Sequence, residues 1–280
     1  MLSTKQKIGV ARLLSRAACA ARKLAGHSSR DIFHRGGLAY ELDLHEGIDL
    51  SIYLFGAFEP DVVAYYTPVL REGSVVLDIG ANIGAHALRM ASLVGDSGKV
   101  VAIEPTDWAF AKLTRNVGLN AAIAPRIERV QGFVAANAGE VLPGDICSSW
   151  PLDAGDSSGL DESQGRSFPT TGARVVTLAG LCEEFELLKI DLIKLDVDGH
   201  EINVLEGGLG VIERFRPAIV IELAPYVFAN GDGDVCRILE MLASVGYRTA
   251  AHGRARLSLS EPRAVLSRIP KNGGINVMIQ

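Results

Sequence analysis

From about residue 73 onward the chain alternates between short continuous apolar runs and longer segments with helical spacing. The runs are "SVVLDIG", "KVVAIEP", "RIERVQGFVAA", "DLIKLDV" and "PAIVIEL". Strands of a parallel sheet read this way because helices cover both of their faces. Between them, residues 85–94, 108–119, 201–215 and 235–245 carry apolar side chains at three-to-four spacing and predict helices. Strand alternating with helix predicts an α/β fold with a doubly wound, mostly parallel sheet and right-handed crossovers. The closing "GGINVMIQ" predicts an edge or reversed strand.

Three other stretches follow different patterns. Over residues 31–58, "LAYELDLH" and "IDLSIYLF" alternate apolar and polar positions around a turn at Glu46-Gly47 and read as strands. A helix is expected from Pro60, an acceptable first-turn residue, to about Leu70. Residues 136–172 are rich in Gly, Ser, Asp and Pro with no sustained period, and read as a lid, a substrate-facing insertion or an irregular loop. At the other end, Ile8, Val10, Leu13, Leu14, Ala17, Ala21 and Leu24 recur at helical spacing, with Lys5, Arg12, Arg16 and Lys23 mostly between them. This predicts a basic amphipathic helix that packs on the main body, with a transit peptide or a membrane-surface helix as alternatives. The expected organisation is a helical extension over 1–30 and one domain over 31–280, with its core at 73–280 and a variable insertion at 136–172.

Composition sharpens this picture in two places. Of 280 residues 48% are hydrophobic and 22% charged, a balance that excludes disordered and fibrous classes. Residues 1–30 hold seven Lys/Arg and no acid, so the rest carries −12 of a total of −5. An acidic body of that kind argues against an extensive nucleic-acid surface. No apolar stretch is long enough to anchor the chain across a bilayer. The four cysteines form no CxxC pair, which points away from zinc and disulfides and toward a reducing, cytoplasmic setting.

The candidate chemistry lies at strand ends. Asp78-Ile79-Gly80-Ala81-Asn82-Ile83-Gly84 closes the first run and opens a helix, where open α/β sheets bind ligands. The second run ends in Glu104-Pro105, and an acid there accepts hydrogen bonds from ribose hydroxyls. A dinucleotide loop wants a second glycine for its pyrophosphate; Asn82 puts a Cβ and an amide there instead. Asp78 adds a carboxylate suited to an ammonium or sulfonium group. A nicotinamide-dependent oxidoreductase is therefore the disfavoured reading of this loop.

"VVLDIGANIGAHAL", "KVVAIEP" and "IKLDVDGHEINVLEGG" together resemble, in order and spacing, the FkbM-type S-adenosylmethionine-dependent methyltransferases. The resemblance runs from Gly56-Ala57-Phe58-Glu59 to the C-terminal "NVMI". It implies a Rossmann-like methyltransferase fold, with a seven-stranded sheet whose last strand is antiparallel, S-adenosyl-L-methionine as cofactor, and O-methylation of a sugar, glycan or natural product. On these positions it implies that Asp78, Gly80, Ala81, Asn82 and Gly84 surround the methionine part and that Glu104, with Pro105, holds the ribose. Glu59 either approaches the methionine amino group or complements a helix N-terminus. Phe133 is either an adenine-stacking residue or core.

The fourth run ends Lys194-Leu195-Asp196-Val197-Asp198-Gly199-His200-Glu201, and strand alternation sends Lys194, Asp196 and Asp198 to one side. An acceptor hydroxyl needs a base as its bond forms, and Asp196, His200 and Glu201 are the catalytic candidates. Glu201 equally suits a helix N-terminus. Asp196, Asp198 and Glu201 also resemble a hard-cation site, although a metal requirement is disfavoured. His86 and Glu222 are secondary candidates. The remaining alternative is a non-catalytic nucleoside-binding module docked through its basic helix, with weak membrane-surface association.

Overall fold

A computed structural model describes residues 4–152 and 165–280. Helix α1 (Thr4–Leu24) leads into an antiparallel hairpin of β1 (Arg30–Arg35) and β2 (Leu38–Asp43), followed by α2 (Gly47–Phe55) and α3 (Pro60–Tyr66). Then come β3 (Val75–Ile79), α4 (Ala85–Leu93), β4 (Lys99–Glu104), α5 (Asp107–Gly118) and β5 (Ile127–Val134). A second antiparallel hairpin, β6 (Asp145–Ser149) and β7 (Arg166–Pro169), precedes β8 (Arg174–Val176) and α6 (Leu178–Glu184). The chain closes with β9 (Leu192–Leu195), α7 (Glu201–Phe215), β10 (Ala218–Leu223), α8 (Asp232–Ser244), β11 (Thr249–His252), β12 (Ala255–Ser258), α9 (Pro262–Leu266) and β13 (Ile275–Ile279).

The five apolar runs became β3, β4, β5, β9 and β10, and they pair in parallel. The whole sheet has nine strands in the order β12-β11-β13-β10-β9-β3-β4-β5-β8. This corrects the expected seven: β8 and β12 add a short strand at each edge. β13 is antiparallel to β10, as its reversed reading required, but it sits between β10 and β11 and is not an edge. Two hydrophobic clusters fill the two sides. Leu77, Ile79, Val101 and Ile103 belong to one, while Val76, Val100, Ala102, Leu192 and Val220 belong to the other. The two-residue alternation of a strand therefore feeds apolar groups to both faces, the Rossmann-like α/β arrangement.

Three expectations need correction. "IDLSIYLF" is helix α2, not a strand. A short run with apolar residues at nearly every other position fits either period, and here a tertiary contact decides. The Asp49 carboxylate, in the first turn of α2, accepts from the Asp43 amide at 2.6 Å and pairs with Lys112 of α5, both side chains being almost fully buried. Helix α3 ends at Tyr66, short of residue 70, because Pro68 cannot supply the next backbone donor. The stretch 136–172 contains the hairpin β6-β7; its residues 153–164 lie outside the described part.

The Asp49–Lys112 pair ties the N-terminal segment to the parallel sheet's helix layer. Lys112→Met leaves a carboxylate buried without its cation and is expected to lower unfolding free energy by about 3–5 kcal/mol in urea titrations. Asp49→Asn combined with Lys112→Met is expected to lose markedly less, because no unpaired charge remains.

Candidate active site

The sheet order places a topological switch between β3 and β9, since the chain proceeds from β3 to β4 and β5 on one side and β9 to β10 on the other. Ligands bind at the carboxyl ends of strands flanking such a switch. There the Asp196 amide donates to the Ile79 carbonyl at 3.2 Å, and the amides of Gly80 and Ala81 donate to the Ile103 carbonyl at 3.0 and 2.9 Å. Gly80 has φ +80°, and a Cβ on it would lie 1.8 Å from the Asp196 carbonyl oxygen. Only glycine allows the two strand tips to meet.

These tips open on a cavity of about 600 Å³, within the ordinary range for small-molecule sites. Gly80, Ala81, Asn82, Glu104, Pro105, Phe133, Glu59, Asp196 and His200 all line it, so the fold gathers most of the sequence candidates at one place.

Glu104 shapes the loop as well as facing the cavity. Its Oε2 accepts from the Asn82 amide at 3.0 Å, and its Oε1 accepts from the Thr106 amide and hydroxyl at 3.0 and 2.6 Å. A carboxylate has about four acceptor positions, so room for one more donor remains. Burial pushes its carboxyl upward, and these donors oppose that. Asn82 adopts a left-handed backbone, φ 47°, which asparagine tolerates better than most residues. Its side-chain amide donates to the Ser148 carbonyl at 2.9 Å, clipping β6 onto the loop. The Thr106 hydroxyl reaches the Ser148 hydroxyl at 3.1 Å. Ile146, Cys147, Trp150 and Leu152 follow this clip into the cavity wall. The described part of the insertion thus faces the site, a role its lack of periodicity had left open. Thr106, ahead of a helical pattern and two residues after Glu104, is a locally readable signal that the sequence reading missed.

Two loop residues sit elsewhere than expected. Asp78 does not line the cavity. It is fully buried behind the loop, its carboxylate 3.9 Å from the Lys194 ammonium. Burial pushes its carboxyl upward, while Lys194 and His86 pull the other way. Gly84 also stays out of the cavity. A Cβ there, at φ +85°, would press on Leu113 and Leu88 at 2.7 and 2.8 Å, so this glycine serves helix packing.

At the second tip, Lys194 Nζ donates to Asp196 Oδ2 at 3.0 Å. Burial alone would push the Lys194 ammonium down, but the carboxylates of Asp196, Asp78 and Glu59 hold it above its ordinary value. Glu201 is 1% exposed and away from the cavity. Its two oxygens accept from the Val197 and Gly199 amides at 3.0 Å each, fixing the turn that carries Asp198. This corrects its place among groups able to touch a substrate. His200 packs edge-on against Phe133, ring centroids 5.1 Å apart, and burial pushes its imidazole toward the neutral form. Phe133 is therefore buried wall and cavity lining at once.

Three carboxylates converge: Asp196, Asp198 and Glu222 each offer an oxygen within 4.8 Å of the others. Glu222 takes the place in this group that the sequence reading had given to Glu201. Burial, reinforced by Asp196 and Glu201, pushes Asp198 up to about 8. Burial, reinforced by Asp196 and Glu59, pushes Glu222 up to about 9. His86 lines the cavity beside them, with Tyr66 at 3.3 Å from Nδ1 and Glu59 at 3.5 Å from Nε2, while Glu59 also accepts from Asn276 at 3.0 Å.

A family model described as the methyltransferase FkbM domain matches residues 78–249, more than half of the chain, and the chain belongs to that family. It is 28% identical over 165 residues to hexuronic acid methyltransferase AglP of Haloferax volcanii, covering 58% of this chain and 61% of that protein's length. It is 28% identical over 178 residues to 2-O-methyltransferase NoeI of Sinorhizobium fredii, covering 61% and 71%. Among solved structures, the methyltransferase FkbM from Methylobacillus flagellatus aligns over 76% of this chain and 44% of that one, with 16% identity and a TM-score of 0.45. That likeness is too loose to add to what the sheet order states.

The carboxyls with raised values bind their protons more tightly in the folded chain than in the unfolded one. Their contribution to stability is full below the ordinary carboxylate range and is lost as pH rises through about 8 for Asp198 and about 9 for Glu222. The thermal midpoint is expected to fall between pH 5 and 9, and Asp198→Asn with Glu222→Gln is expected to flatten that slope. Differential scanning fluorimetry across this range checks it.

Proposed function

We propose that the chain is an S-adenosyl-L-methionine-dependent O-methyltransferase acting on a hydroxyl of a sugar or glycan. The observation that carries this is the joint placement of Gly80, Ala81, Asn82, Glu104 and Asp196 around one cavity at the switch point. The residues fit the cofactor. The bare backbone at Gly80 lets the two strand tips close into one cavity floor, Glu104 keeps an acceptor position for a ribose hydroxyl, and Phe133 lines the wall. Gly80, Ala81 and Asn82 would hold the methionine part, Glu104 and Pro105 the ribose. Glu59 or another cavity acid would meet the amino group.

When bound, S-adenosyl-L-methionine supplies a methyl group activated by its sulfonium sulfur, transferred by direct displacement. The chain's residues then have to orient the acceptor and take its proton. Asp196 reaches the cavity with Lys194 holding Oδ2, which leaves Oδ1 to accept a hydroxyl proton. Burial pushes the carboxyls of Asp198 and Glu222 upward, toward the neutral form that adds less repulsion at Asp196. His200, whose imidazole burial pushes toward the neutral form, lines the same cavity. Phe55, Phe58, Trp150 and Tyr226 give the wall the flat apolar surfaces on which sugar rings stack. The names of the two relatives, a hexuronic acid methyltransferase and a 2-O-methyltransferase, point to the same acceptor class. The Lys194 ammonium already balances Asp196, and on this reading transfer needs no divalent cation.

Titration calorimetry is expected to show S-adenosylhomocysteine binding, weakened by about 1–3 kcal/mol in Glu104→Ala through the lost charged hydrogen bond. No binding to well-folded protein overturns the reading. With a labelled methyl donor and a panel of uronic-acid and neutral methyl glycosides, Asp196→Asn is expected to lower kcat by about 10²–10⁴ while leaving S-adenosylhomocysteine affinity near that of the unaltered chain. EDTA is expected to leave turnover unchanged.

A further inference from the structure

Helix α1 presents a different face to the body from the one its sequence advertises. Ile8, Ala11, Ser15, Ala18 and Cys19 turn inward, with Ser15 buried and its hydroxyl donating to the Leu44 carbonyl at 2.7 Å. Arg22 ends this face, bonded to Asp31 at 2.7 Å and lying over the Phe33 ring. The apolar stripe Val10, Leu13, Leu14, Ala17, Ala21 and Leu24, spaced three and four apart, points to solvent. Its large members are 47%, 68%, 40% and 90% exposed at Val10, Leu13, Leu14 and Leu24. A docked helix that keeps a leucine row outside leaves that row for something else to cover.

We propose that this outward face of α1 docks the chain on the surface of a bilayer containing anionic lipid. Charge decides the occupant. The first 30 residues contain seven Lys/Arg and no acid, and Arg16 and Lys23 are exposed beside the stripe. A basic helix with an apolar row partitions into the interface of an anionic bilayer, apolar side down. The −12 carried by the rest of the chain is repelled by the same surface, so only the helix face approaches. A second copy fits less well. Two such helices would bring like charges together with no acid on either to pair them, and one row of four large side chains is far from the roughly 800 Å² per partner of a stable interface. No helix among the described residues is long and apolar enough to cross a membrane, so the contact lies along the surface.

The inner side of the same helix adjoins the cavity. Ile8 and Ala11, on the inner side of α1, line the cavity together with Phe55 at the end of α2, and Phe55 is itself 66% exposed.

The test uses the full chain and extruded vesicles, either phosphatidylcholine alone or with 30% phosphatidylglycerol, in co-sedimentation at 0.1 and 0.5 M NaCl. The expected result is binding to the anionic vesicles at low salt, at least tenfold weaker at high salt and on neutral vesicles. Leu13→Glu with Leu24→Glu is expected to weaken it at least tenfold with an unchanged thermal midpoint, since both positions are exposed. Absence of binding to anionic vesicles overturns the proposal. So does equal binding by the double variant, or light scattering that shows a dimer in the unaltered chain and a monomer in the double variant.

Discussion

A buried ammonium at the centre of the sheet is the constraint on which the site depends. Lys194 is 3% exposed and lies opposite Asp78 in the register of β9 and β3. A lone charge at such depth is costly. It is tolerable because Asp78 approaches from one side and Asp196 bonds it from the other. The same lysine therefore joins the glycine loop to the acidic tip, and it sets the direction in which Asp196 presents its remaining oxygen. Asp78, invisible to the cavity, matters through this contact.

Around that centre the cavity is assembled from parts far apart in the chain. The loop after β3 and the turn after β9 meet at Gly80, where backbone touches backbone. Glu104 arranges the loop amides, and the Ser148 segment is pinned on top through Asn82 and Thr106. Glu201 performs for the turn at Val197–Gly199 what Glu104 performs for the loop, receiving amides that would otherwise be stranded. Acids here are thus divided between those that build the turns and those that crowd the cavity. Burial, reinforced by the neighbouring carboxylates, pushes the carboxyls of Asp198 and Glu222 upward beside Asp196.

The parallel strands were legible because a strand buried on both faces is apolar at most positions, a local signal needing no partner. The glycine loop, Glu104 and Asp196 were legible because chemistry at strand ends uses few residue types at tight spacing. Glu201 was misread for a reason of scale: an acid opening a helix looks the same whether its oxygens meet backbone amides or a substrate. "IDLSIYLF" was misread because eight residues fit two periods; as a helix it buries Leu50 and Ile52 and pairs Asp49 with Lys112, 63 positions on. The face by which α1 packs was not legible, since Ala11, Ser15, Ala18 and Cys19 pack against the body while Leu13 and Leu24 stay exposed.

Order along the chain and the alternation of apolar runs were enough for the α/β class, the sheet's parallel centre and the positions of its ligand-facing tips, since each rests on contacts between neighbours in sequence. Which acid faces the cavity, which glycine serves packing, the nine-strand width and the insertion's place over the loop were settled by folding alone. Each depends on distance and burial between residues tens to hundreds of positions apart, and a linear pattern carries no information on such separations.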